Sequence, residues 1–324
     1  MTRIGYHCSH EQYPPSRLLE LVQLAERAGF ESAMCSDHFH PWSERQGHSG
    51  FAWSWIAAAL QATSFPIGMI AIPGGWRYHP AIVGQAAATL AEMYPGRFWI
   101  APGSGEALNE HIVGQHWPHK AERNARLLEA VEIIRALWSG ETVTRTGLIR
   151  VEDAKLYVRP QEPPPMIGAA LSPETAEWMG GWADGLITTL REREAMEEMV
   201  RAFRRGGGEG KPIYLQAQLS FGRTDEDALR AAWDQWRSVQ FPSPVLAHLW
   251  MPAQFDAVGE FVRPEDLRGK IKISADPEWH LEWLRECVDL GFEEIFLHCL
   301  NRDEQERFIE VFGERVLPEL RGAR

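Results

Sequence analysis

"IGMIAIPGGWRYHPAIVGQAAATLAEMYPGRFWIAPGSGE" spans residues 67–106. Its first six residues are a continuous apolar run, the pattern of a strand buried on both faces. "HPAIVGQAAATLAEMYPG" (79–96) follows with helical spacing, Pro80 in its first turn and Pro95-Gly96 at its end. "RFWIAPGSGE" (97–106) is a second apolar strand with its exit loop. A helix between two such strands makes a parallel crossover unit.

The unit repeats along the chain. "RIGYHC" (3–8), "SAMCS" (32–36), "PMIGAAL" (165–171), "DGLITT" (184–189), "PIYLQAQLSF" (212–221) and "EEIFLHC" (293–299) complete a set of eight strands, each followed by a helical pattern. Eight units predict an α/β fold, a closed (β/α)8 TIM barrel, with a doubly wound open sheet as the alternative. A hairpin excursion (143–158) is expected after the fourth strand and its helix, and a long irregular insert (240–275) after the seventh. No linker-like composition divides the chain, so residues 1–324 read as one domain. The Gly-rich "RRGGGEGK" (204–211) lies between a helix and a strand, on the barrel face that serves stability.

Composition narrows the function. The net charge is -12, which speaks against a nucleic-acid partner. No apolar run is long enough to cross a membrane. The four cysteines (Cys8, Cys35, Cys287, Cys299) are scattered with no CxxC, as expected of reduced, buried thiols in a cytoplasmic protein. Fourteen Trp supply large rigid faces for a core or an aromatic ligand pocket.

In a barrel of this kind, chemistry gathers at the C-terminal strand ends. Strand one ends in His7, Cys8 and Ser9. Strand two ends in Asp37, His38, His40 and Trp42, strand three in Ile70 and Ala71, and strand four in Gly103, Ser104, Gly105, Glu106 and Asn109. Strand five offers Ala170 and Leu171, strand six Thr188 and Thr189, and strand eight His298. The "HFH" of 38–40 invites a metal reading, and a metal-dependent barrel hydrolase is the competing enzyme class. Strands five and six bring no imidazole, carboxylate or thiolate, however, and a catalytic zinc needs ligands from several strands. No metal is therefore expected. A small, apolar floor with backbone donors and a His/Glu pair describes a flat polycyclic ligand.

"SDHFHPWSERQGHSGFAWSW", "RYHPAIVGQAAATLAEMYPGRFWIAPGSGEALNE" and "ADGLIT" together resemble the bacterial-luciferase-like flavin oxidoreductases. The nearest branch contains the F420-dependent glucose-6-phosphate dehydrogenases, and the most similar sub-branch is named for non-F420 flavinoid oxidoreductases. The resemblance implies a flavoprotein enzyme of the luciferase-like monooxygenase superfamily, acting on a small organic substrate. It implies FMN, with the deazaflavin F420 as the alternative; FMN would allow monooxygenase chemistry and F420 a dehydrogenase. It assigns His38 as base, Glu106 as acid and Trp42 as a stabilising face. It gives cofactor contacts to Asp37, Ile70, Ala71, Ser104, Gly105, Asn109, Ala170 and Leu171. His7, His40, Thr189 and His298 would line the substrate pocket. It further implies a cis peptide at Ile70-Ala71 and a homodimer formed through "FAWSWIAAALQA" and "AAATLAEM".

Two departures stand out. Glu192 occupies the place of a phosphate-binding Lys, which disfavours a sugar phosphate. His40 replaces a Gln. Each candidate also has a structural alternative: His38 as a satisfied strand-end histidine, Glu106 as a helix cap, and Trp53 and Trp55 as core. A flavin-binding protein without turnover is the third functional class.

Overall fold

The computed structural model describes residues 2–322. Eight parallel strands form the wall of the barrel: β1 (Arg3–Cys8), β2 (Ser32–Ser36), β3 (Ile67–Ala71), β4 (Phe98–Pro102), β7 (Ile167–Ala169), β8 (Gly185–Thr189), β9 (Ile213–Phe221) and β11 (Glu294–Cys299). Two strands outside the wall, β5 (Val143–Thr146) and β6 (Arg150–Ala154), make the expected hairpin, and β10 (Lys272–Ser274) adds to β9. Neighbours run β4-β3-β2-β1-β11-β9-β8-β7. The ring closes by one bridge, Ile100 to Met166, where Ile100 N–H donates to the Pro165 carbonyl at 3.0 Å. The closed wall decides between the two sheet architectures in favour of the barrel.

Helices α1 (Pro15–Arg27), α2 (Ala52–Ala62), α3 (Pro80–Met93), α4 (Ala107–Glu110) and α5 (Lys120–Ser139) belong to the first half. In the second half come α6 (Pro173–Gly180), α7 (Arg193–Phe203), α8 (Asp225–Trp236), α9 (Ser243–Leu246), α10 (Pro252–Gly259), α11 (Pro277–Asp289), α12 (Gln305–Val311) and α13 (Leu317–Gly322). The expected stops are present: Gly29 and Gly140 follow α1 and α5 with φ of 98° and 95°, a conformation glycine adopts without penalty.

Large side chains from six of the eight wall strands fill the barrel. Trp99, Tyr214, Phe296, Met34, Ile167 and Ile187 form one interior cluster. Glycines opposite make the room: a Cβ on Gly68 would meet Trp99 at 1.8 Å, and one on Gly5 would meet Phe296 at 2.5 Å. The Gly-rich 204–211 segment serves packing in the same way, since a Cβ on Gly206 would lie 1.8 Å from the Glu177 carbonyl oxygen in α6.

Two expectations need correction. The insert at 240–275 is not irregular. It carries α9, α10, a 3-10 turn (Pro264–Leu267) and β10, around fully buried Phe255 and Leu267. These pieces are too short to show a period in sequence. The Ile70-Ala71 peptide is trans, as are all described peptide bonds. The ladder explains this: Ala71 pairs with Pro102 in register, and its carbonyl accepts from Gly103 N–H at 2.9 Å, so β3 runs straight through the position.

Candidate active site

Of the groups singled out at the strand ends, His38, Trp42 and Glu106 come together at the C-terminal mouth. There β1 exits through Ser9, His10, Glu11 and Gln12, all buried. Glu11 Oε1 lies 2.9 Å from His38 Nδ1, bent away from the ring N–H axis, so the contact is an ion contact more than an aligned hydrogen bond. Ser9 Oγ donates to the other carboxylate oxygen at 2.8 Å. Burial alone would raise the Glu11 carboxyl, but the facing His38 holds it well below the usual range. For His38 the balance is the mirror image. Burial disfavours the imidazolium, and the charge of Glu11, helped by Glu106, more than reverses this and raises the imidazole above its ordinary value. Trp42 meets the His38 ring edge-to-face at 5.1 Å and is backed by Phe255 of α10 at 5.3 Å.

Glu106 sits at the N-terminus of α4, yet its side chain makes no capping bond. Burial pushes its carboxyl up to about 7, against the pull of His38 and Arg123. A carboxylic acid that is half protonated near neutrality therefore shares a mouth with an imidazole of raised basicity. Groups pushed in this way cluster at functional sites.

Residues 1–294 match the luciferase-like monooxygenases. The chain belongs to this family. The F420-dependent glucose-6-phosphate dehydrogenase of Nakamurella multipartita is 35% identical over 331 residues, covering 98% of this chain and 96% of that protein. The enzyme of the same name from Intrasporangium calvum is also 35% identical, covering 99% of this chain and 100% of that protein. Among solved structures, an F420-dependent secondary alcohol dehydrogenase in complex with an F420-acetone adduct superposes with a TM-score of 0.88 at 30% identity, covering 98% of each chain. A type II Baeyer-Villiger monooxygenase from Pseudomonas putida in complex with FMN shares the fold, with a TM-score of 0.71 at 15% identity over 98% of both chains. As a member of the luciferase-like family, the chain is an oxidoreductase.

The structure gives several residues of the family pattern a different place from the expected one. Asp37 does not open to the mouth. Its side chain is fully covered and lies 3.0 Å from Arg77 Nη2. Asn109 is likewise turned inward, where its Oδ1 accepts from Phe39 N–H at 2.8 Å and His40 N–H at 3.2 Å. The Ala71 side chain is buried in the core outside the barrel, so only its backbone reaches the mouth. Ala170 is buried too, with its N–H donating to the Ile187 carbonyl. By contrast Ile70, Ser104, Gly105 and Thr189 are partly exposed, and Leu171 is exposed. Gly105 has φ of 82°, and a Cβ there would press on Trp117 at 2.9 Å and Ile72 at 3.0 Å.

The two histidines that suggested a metal box diverge. While His38 faces Glu11, His40 Nδ1 contacts the Leu108 carbonyl at 2.9 Å and its ring stacks on His111. His7 and His298 are buried with ring centroids 4.2 Å apart, and burial holds both imidazoles neutral, His298 at about 4. His298 Nε2 meets Gln12 Oε1 at 3.1 Å.

Sequence reading missed Glu11, Arg77 and Glu110. The uninterrupted polar run Ser9-His10-Glu11-Gln12 directly after a strand is the signal that locates Glu11. Arg77 has a fainter one, as a lone cation in the loop between β3 and α3.

Glu106 generates a stability test. Its folded pKa lies above the unfolded value of about 4.5, so the folded state pays for ionising it as pH rises from about 4.5 to 7, and the penalty persists above. Glu106→Gln should therefore unfold at higher denaturant concentration than the parent at pH 8, by roughly 1–3 kcal/mol, and match it at pH 4.5. Denaturation at the two pH values measures this.

Proposed function

We propose that this chain is a deazaflavin-dependent dehydrogenase that oxidises a small uncharged alcohol, with His38 as base and Glu106 as acid. The Glu11–His38 contact carries the reading. It anchors Nδ1 and leaves Nε2 to take a proton from a hydroxyl in the mouth. The relatives and the alcohol dehydrogenase structure support F420 over FMN at 30–35% identity, whereas the FMN-bound neighbour supports the fold alone.

The mouth fits a flat ring. Ile70, Ile72, Ala169 and Thr189 give it a partly exposed, mostly apolar floor. Gly103 and Gly105 keep the β4 exit loop close to Ile72, where a Cβ on either would lie 2.9–3.0 Å from that side chain. Ile70, Ser104, Gly105, Ala170 and Leu171 would hold the ring. Asp37 and Asn109 would act on it only through the loops they fix. When bound, the cofactor supplies two-electron hydride chemistry. Glu106, half protonated near neutral pH, has a proton to give; Trp42 and Phe255 keep water from His38. α9 covers the site from above: the Ala247 carbonyl accepts from Ala107 N–H at 3.1 Å and Trp117 Nε1–H at 2.9 Å.

Glu192 precedes α7, exposed and without a capping bond, where the resemblance places a phosphate-binding lysine; Arg191 beside it compensates only in part, and Arg193 is paired with Glu197. This supports an uncharged alcohol over a sugar phosphate.

Purified protein titrated with F420 and FMN should bind F420 more tightly, seen by fluorescence quenching, and reduce it with secondary alcohols. His38→Ala should lower kcat by about 10²–10⁴-fold with cofactor affinity little changed. Tighter FMN binding, or equal loss of binding and turnover, would sink the assignment.

A homodimer fits the outer faces of α2 and α3. Residues 51–61 and 80–91 contain no charged side chain, and Phe51 and Ile82 are exposed there. Sedimentation velocity should show a dimer that Ile82→Asp converts to monomer; a monomeric parent would contradict this.

A further inference from the structure

We propose that Arg77 is a positioning residue for this reaction, setting His38 against Glu106 by tying together the loops that carry them. The inference rests on the base and acid roles given above. Arg77 lies in the loop between β3 and α3, and its side chain is only 7% exposed. Nη2 reaches both the Asp37 carboxylate at 3.0 Å and the Asp37 carbonyl at 2.9 Å, beside His38 on the β2 loop. Nε meets Glu110 Oε1 at 3.3 Å and the Arg77 N–H donates to Glu110 Oε2 at 3.1 Å, on the helix that Glu106 begins. Both carboxylates have fully covered side chains. The guanidinium also packs on the Tyr78 ring at 4.7 Å.

One planar cation thus pins three consecutive strand-end loops. Only a guanidinium has donors spaced to do this; an ammonium is a point charge. Asn109 adds a second tie between the same outer loops through Phe39 and His40. Burying two carboxylates around one cation is weak grounds for stability, because an apolar or neutral replacement of the whole group often folds as well. A registry role accounts for the cluster's place between base and acid.

Arg77 also acts on His38 through charge. The groups facing His38 are Glu11 and Glu106, which favour its imidazolium, and Arg77, which opposes it, with neutral His7 and His10 nearby.

Three variants test the proposal. Arg77→Lys keeps the charge and loses the fork. Its kcat should fall about 10–100-fold with KM within threefold, and the His38 imidazole pKa, read by NMR on cofactor-free protein, should stay put. Arg77→Met should lower kcat as far and move that pKa upward. Asp37→Asn/Arg77→Met/Glu110→Gln removes every charge of the cluster; it should melt near the parent temperature and still turn over slowly. Parental kcat in Arg77→Lys and in the triple variant would overturn the proposal, as would losses that only follow unfolding. Failure of the functional reading looks different: the parent would then neither bind F420 nor depend on His38, while the NMR shift in Arg77→Met would still report on the cluster.

Discussion

The contact between Glu11 and His38 organises everything at the barrel mouth. A carboxylate taken out of water is costly unless something answers its charge. Here the answer is an imidazole from the neighbouring strand, with Ser9 on the second oxygen. The three other buried histidines around it, His7, His10 and His298, are held neutral by burial and leave the field of Glu11 to His38. The same pairing holds the Nδ1 side of the His38 ring against Glu11.

Glu106 complements it by the opposite physics. Nothing pairs with its carboxyl, no cap engages it, and burial leaves it near neutrality. One carboxyl is held as an anion and the other is pushed toward its neutral form. Two environments a few residues from two strand ends thus set identical chemical groups apart. The loops holding these environments are tied to one another through Arg77, Asn109 and the insert that docks on Ala107 and Trp117.

The barrel was legible because its strands are continuous apolar runs and its helices have clear stops. Gly29, Pro80 and Gly140 end or begin elements where the residue chemistry says they should. That His38, Trp42 and Glu106 lie near one another was also legible, since position at a strand end is itself informative in this fold. What the sequence hid was pairing. Glu11 is three residues past β1 but meets a side chain 27 positions away; Arg77 joins residues 40 positions before it and 33 after. Local pattern cannot rank such partners. Asp37 and Asn109, which the resemblance places at the cofactor, have side chains turned inward onto Arg77 and the backbone of 39–40. The insert escaped because its helices are one or two turns long and its order comes from tertiary burial of Phe255 and Leu267.

The most direct test is the pKa of the His38 imidazole, followed by NMR in cofactor-free protein for the parent and for Glu11→Gln. The parental value should lie above the ordinary 6.5 and the variant value well below the parental one, since only Glu106 would then oppose burial. An unchanged pKa in Glu11→Gln would contradict this, because Glu11 would not then be what makes His38 a base.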